Sequence, residues 1–332
     1  MKRNLWLLWV YTCIIAAGCG NHENTEKLTL IDKMLEQDKV DSAFRSITAI
    51  PLSTMSTEAD SAYYYLVRTE IYHRNRMPPL TDNGISYAVR YYEKKSDKEM
   101  LARAYFYKGI STYNKNRMQQ TIHLLKQAEG LADRTVNLQL QYKIYEALAY
   151  YNGEAFENEL HKIYAKKALD VAKTLNDKER QSSVLLYLVN YYIAINEKDS
   201  AMICINECAP LLKSMAPSNL PYYYFNMGRI YEKDDPQLAK AYLKKAIAIK
   251  GIPNAYKTLA NIYMREDSME KVREMWQQAL YSTRNTKMNT MRVDIFNTMR
   301  QQAMEHGDYR QANALADSAA RWKKQVYEVQ QQ

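Results

Sequence analysis

Glycine and proline are scarce in this chain of 332 residues, nine and eight in number. That scarcity excludes a turn-rich all-β fold, and an apolar content of 47% excludes a disordered chain. No block of basic residues stands out. The 46 Lys and Arg are mixed with 37 Asp and Glu, for a formal charge of +9. A nucleic-acid arm would need such a block, and an RNA-binding module would need an aromatic–basic signature; neither is present. The five histidines (His22, His73, His123, His161, His306) are far apart and lack acidic or His partners at metal-site spacing. There is no GxGxxG, GxSxG or phosphate-binding loop, and the carboxylates are spread beside Lys and Arg as on solvated helix faces. The sequence therefore predicts no catalytic residues, no metal and no cofactor. Cys204 and Cys208 stand four apart, not as a CxxC pair, and read as core thiols.

What is abundant is tyrosine, with 29 against five Phe and four Trp. A ring with a polar tip suits half-buried positions, which a thin two-layer helical array supplies in number. The first residues have a different character. Lys2 and Arg3 precede an uncharged, mostly apolar stretch from Leu5 to Ala17, too short for a stable transmembrane helix but right for a secretory leader. It ends in Ala16-Ala17-Gly18-Cys19, which resembles the lipobox of bacterial lipoproteins, although Ala16 stands where Leu is usual. The resemblance implies cleavage before Cys19, diacylglycerol on its thiol and an acyl group on the new N-terminus. Two or three acyl chains hold firmly, each buried CH₂ contributing about 0.8 kcal/mol. No later apolar stretch approaches 18 residues. Residues 1–18 are thus expected to be a signal peptide and 19–26 a tether.

From there helical periodicity continues almost to the C-terminus, and it recurs. In residues 253–286, Tyr256, Leu259, Ala260, Tyr263, Val272, Trp276 and Ala279 alternate large and small in a fixed order. Tyr105, Gly109, Thr112, Leu125 and Ala128 repeat it, as do Leu185, Leu188, Val189, Tyr192, Ala201, Ile205 and Cys208. Tyr224, Met227, Gly228 and Tyr231 are followed by Ala239, Leu243 and Ala246 one residue early, which places a shortened turn at Asp234-Asp235-Pro236. Ala312, Ala316 and Ala319 keep the frame behind a weak first helix. This is the tetratricopeptide-repeat (TPR) pattern, about 34 residues in two antiparallel helices. The expected fold is an all-α, TPR-type antiparallel helix-hairpin solenoid, or superhelix, with TPR-like hairpins over 27–100 and the array over 101–326. Two interruptions are expected, one at Asp82-Asn83-Gly84 and one at Asn152-Gly153-Glu154.

The run "SAYYYLVRTEIYHRNRMPPLTDNGISYAVRYYEKKSDKEMLARAYFYKGISTY" (61–113) resembles TPR lipoproteins of Bacteroidota. That resemblance implies a cell-envelope protein that binds other proteins. Many such proteins continue into a transmembrane helix and an effector part, and the absence of these here favours an adaptor or scaffold over direct signalling.

In a TPR array the first helix of each repeat lines a groove at every third or fourth residue. In frame these are Arg103, Phe106, Ile110 and Tyr113; Asn190 and Ile193; Tyr222, Phe225, Arg229 and Glu232; and Asn254, Lys257, Asn261 and Met264. Amides grip a peptide backbone and rings take its side chains. Phe106, Tyr113, Asn190, Tyr222, Phe225, Arg229, Lys257 and Asn261 are the candidate peptide-binding residues, and Cys19 the lipidation site. Of Tyr222-Tyr223-Tyr224, Tyr224 is the packing residue, so another ring of the three is expected to be exposed. Lys257 and Asn261 resemble two residues of a carboxylate clamp, but Asp294 and Thr298 do not complete it.

The expected partners are a protein or peptide, plus the membrane through the N-terminal lipid. Nucleic acid is not expected. Gly20-Asn21-His22-Glu23 favours the periplasmic face of the outer membrane. The alternatives are a SusD-like glycan-uptake component, or a sensor or regulator that lacks its effector part.

Overall fold

A computed structural model describes residues 24–77, 82–111, 117–283 and 289–331. The lipobox, Cys19 and Tyr113 lie outside the described residues. Every regular element among those described is helical. The chain divides into two compact units at Val171/Ala172.

The first unit begins with α1 (24–36), α2 (Val40–Thr48), a 3₁₀ turn (Leu52–Thr54), α3 (Glu58–Arg74) and α4 (Asp82–Glu93). It continues through α5 (Lys98–Ser111), α6 (Met118–Ala132), α7 (Leu138–Glu154) and most of α8 (Asn158–Thr174). α3 packs on α4 and α5 on α6, while α3, α5 and α7 also meet one another in order. That is the arrangement of successive first helices in a repeat array. The second unit holds α9 (Lys178–Ala194), α10 (Lys198–Cys208), a 3₁₀ segment (Ala209–Ser214), α11 (Leu220–Tyr231) and α12 (Pro236–Ile249). It ends with α13 (Pro253–Arg265), α14 (Met269–Ser282), α15 (Asn289–Glu305) and α16 (Tyr309–Gln331). Each odd helix pairs with the even helix after it, and α9 also packs against α11.

Local chemistry sets the ends of these helices. Thr57, Asn137, Asp177 and Asp235 each accept a hydrogen bond from the backbone N–H three residues on, capping α3, α7, α9 and α12. Each such cap stabilises by about 1 kcal/mol. At the other end, a residue in the left-handed region closes the helix. Asp38, Arg76, Phe156, Asn196, Asp267 and Gly307 have φ between 52° and 75°. The next N–H in each turn reaches back five residues, as in Lys39 to Met34, Glu157 to Asn152 and Asp308 to Ala303. This double closure satisfies carbonyls that the helix end leaves open.

The in-frame small residues sit where helices meet. Ala128, Ala201, Ala260 and Ala279 are fully buried. A Cβ on Gly228 would lie 2.6 Å from Leu243 Cγ and 3.3 Å from the Ala239 carbonyl oxygen, so glycine lets α11 lie close against α12.

Three expectations need correction. Asn152-Gly153-Glu154 does not break the chain: α7 runs through it and turns only after Glu154. Asn152 is buried and donates to the Leu148 carbonyl, and Gly153 leaves room for His161, whose Nδ1 would lie 2.7 Å from a Cβ there. Gly153 is thus a packing glycine. Likewise, Asp82-Asn83-Gly84 is the first turn of α4, with Gly84 facing the Tyr65 ring. The first helix of the last repeat, weak in pattern, is 17 residues long. The repeat interval also varies: α5, α7 and α9 start at Lys98, Leu138 and Lys178, forty residues apart, whereas α11 and α13 start thirty-three apart.

Candidate functional site

In the first unit the odd-helix face is closed by its own charges. Arg103 of α5 donates from Nη1 to Asp32 Oδ2 of α1 at 2.6 Å and from Nε to Glu70 Oε2 of α3 at 2.9 Å. Lys143 of α7 donates to the other Glu70 oxygen at 3.2 Å, and Tyr63 donates to Asp32 at 2.7 Å. Burial by itself would raise the Glu70 carboxyl, but Arg103 and Lys143 hold it down at about 2. Burial pulls the Arg103 guanidinium down, and Glu70 with Asp32 more than restores it. Every charge in this ladder is matched, so Arg103 is a structural residue rather than one offered to a ligand. Phe106 is buried, with its ring against Tyr107 at 4.9 Å between centroids, so it supports the face from beneath.

The second unit differs. Across α9, α11 and α13, Asn190, Arg229, Lys257 and Asn261 are all partly exposed. Arg229 Nη1 donates to Asn190 Oδ1 at 3.1 Å, and the guanidinium lies over the Phe225 ring at 5.6 Å. Phe225 itself is buried, the floor rather than the wall. Arg229 forms no ion pair among the described residues, and burial lowers its pKa against a partial offset from Glu232. One turn further, Glu232 accepts from Arg265 Nη1 at 3.2 Å, linking α11 to α13. Tyr222 is 39% exposed while Tyr223 is buried, so Tyr222 is the presented ring of the three. Lys250 lies over it at 5.6 Å.

One feature of α11 was not legible in the sequence. Asn226 is fully buried, and neither its amide nitrogen nor its oxygen has a partner among the described residues. A cleft of about 280 Å³ opens at the end of this face, between Ile193, Arg229, Ile230 and Lys233. The thiols of Cys204 and Cys208 are buried, and Cys208 is pushed up to about 12, chiefly by burial. That is an inert core sulfur. Among the described residues no three His, Cys, Asp or Glu side chains gather as a metal site, and no helix is long and apolar enough to cross a membrane.

No family model matches the chain, and no curated protein does. Solved structures do. The structure described as NprR in complex with its cognate peptide NprX aligns at a TM-score of 0.67 with 13% identity, over 93% of this chain and 99% of that one. A Rap protein complexed with Competence and Sporulation Factor aligns at 0.63 with 15% identity, over 93% and 99%. A tetratricopeptide repeat protein from Parabacteroides merdae aligns at 0.60 with 10% identity, over 79% and 93%. At such identities the likeness is one of fold. The chain is an all-α protein of paired helices with the fold of tetratricopeptide-repeat proteins.

Proposed function

We propose that this chain is a non-catalytic peptide- or protein-binding scaffold, and that the α9–α11–α13 face of its second unit is the binding surface. The observation that carries the reading is the contrast between the two odd-helix faces. In the first unit the polar groups bond one another; in the second, Lys257 and Asn261 form no hydrogen bond or ion pair among the described residues, and Arg229 has an amide for its partner. Amides and cations with spare donors on three successive helices suit an extended backbone. A protein of similar fold, NprR, was solved in complex with its cognate peptide NprX, which supports the same reading. The glycan-uptake alternative is less well supported. Trp276 is in the core and bonded to Gln302, and Trp322 lies under Arg292 at 4.2 Å, so neither is a free platform for a sugar.

Attachment to the cell envelope through an acylated Cys19, on the periplasmic face of the outer membrane, completes the proposal; it rests on the Lys2–Cys19 sequence. Proximity crosslinking from native membranes tests the scaffold. A partner captured by the wild type and lost in a Tyr222→Ala/Arg229→Glu variant is expected. A glycan co-purifying with no protein captured would move the weight to nutrient binding. Cys19→Ser should abolish labelling by radioactive palmitate; unchanged labelling would refute the anchor.

A further inference from the structure

The cleft at the end of the α9–α11–α13 face contains ionic groups of both signs, and their pairing is uneven. Lys198 is paired with Asp234 and Arg265 with Glu232, so both acids at the cleft are already engaged. Arg229 and Lys233 form no ion pair among the described residues. Lys233 is at the exposed rim, while Arg229 is half-buried in the lining, which also includes Ile193 and Ile230. Asn190 fixes one guanidinium nitrogen at 3.1 Å and Phe225 lies beneath the plane at 5.6 Å, so the fork is oriented with donors to spare. A planar fork with free N–H groups matches a carboxylate bidentately, and the partial burial of Arg229 strengthens such a bond.

We infer that this cleft is a carboxylate subsite: Arg229, oriented by Asn190 and assisted by Lys233, takes one carboxylate of a bound peptide. The inference rests on the peptide-binding reading above and adds the chemistry of the ligand. A singly charged group fits better than a phosphate dianion, because Lys198, Arg229 and Lys233 against Glu232 and Asp234 leave the cleft lining a net charge of one positive unit. The carboxylate belongs either to an Asp or Glu side chain or to a peptide's C-terminus.

Selection of random twelve-residue peptides on the purified chain tests this, with one library presented internally in a carrier protein and another with a free C-terminus. An Asp or Glu at one recurrent position in the internal library assigns a side chain. Enrichment confined to the free-terminus library assigns the chain end. For a peptide selected either way, Arg229→Gln is expected to weaken binding about ten- to a hundred-fold. Lys233→Gln, at the exposed rim and harmless to folding, should weaken it a few-fold. Repeating the selection on Arg229→Glu should replace the acid by Lys or Arg. Peptides recovered without acid preference, and unaffected by both Gln variants, would overturn the subsite while leaving the peptide-binding face standing. Recovery of no peptide from either library would overturn both.

Discussion

Glu70 shows how much can depend on one side chain. It is buried, and its charge is balanced by Arg103 and Lys143, with Arg74 a further 3.7 Å contact. Removing its charge leaves those cations facing a neutral group, so Glu70→Gln is expected to cost about 3–5 kcal/mol in urea unfolding. The same ladder makes stability depend on acid. Because the folded carboxyl is depressed to about 2 from an ordinary value of 4.5, its contribution is full above pH 4.5 and is lost as pH falls toward 2. In the Glu70→Gln variant that part of the acid loss should vanish, which a pH series of unfolding midpoints reads directly. Asn226 is the opposite case. Its amide is buried with no partner among the described residues, at a cost of about 1–3 kcal/mol, so Asn226→Leu should raise the melting temperature. A fall would show that the amide is satisfied in solution. Neither residue was recognisable in the sequence. Glu70 is the one acid in the run Tyr63–Ile71, and its partners Arg103 and Lys143 come from two other helices.

For single helices and their turns, the sequence was most legible where one packing demand fixed one residue type. Gly228 was in frame as a small residue, and the Leu243 side chain against it shows why. Gly228→Ala should lower stability by about 1–3 kcal/mol despite alanine's better helix propensity, because Leu243 and the Ala239 carbonyl must give way. Reading failed where the same residue types serve two ends. Asn-Gly pairs commonly make turns, so Asn152-Gly153 read as a break, yet here Asn caps its own helix's carbonyl inside the core and Gly admits a histidine. The true turn is marked by Phe156, with φ of 61° and a ring 87% exposed. The equivalent turns use Asp, Asn, Gly or Arg. A left-handed conformation strains a bulky residue, so Phe156→Asn should stabilise by roughly 0.5–1 kcal/mol, measured as a shift in the denaturation midpoint. No change would mean the ring contributes packing that offsets the strain.

For the whole chain, the large-small alternation was enough to identify an all-α array of hairpins, because each helix in such an array repeats the same contacts. The interval was not: α7 and α8, each 17 residues, stretch their repeat to forty residues from Leu138 to Lys178. The groove was legible only as a set of positions. Arg103 and Arg229 occupy different places in that set, but nothing in the sequence shows that the first is consumed by Asp32 and Glu70 while the second is left with an amide. That difference arises from helices far apart in the chain, and it supports the proposed binding face in the second unit.

Hydrogen–deuterium exchange on the full chain, with and without a selected peptide, tests that placement most directly. Exchange is expected to slow in α9, α11 and α13 and to stay unchanged in α3, α5 and α7. Protection centred on α3–α7, or spread evenly over both units, would contradict it.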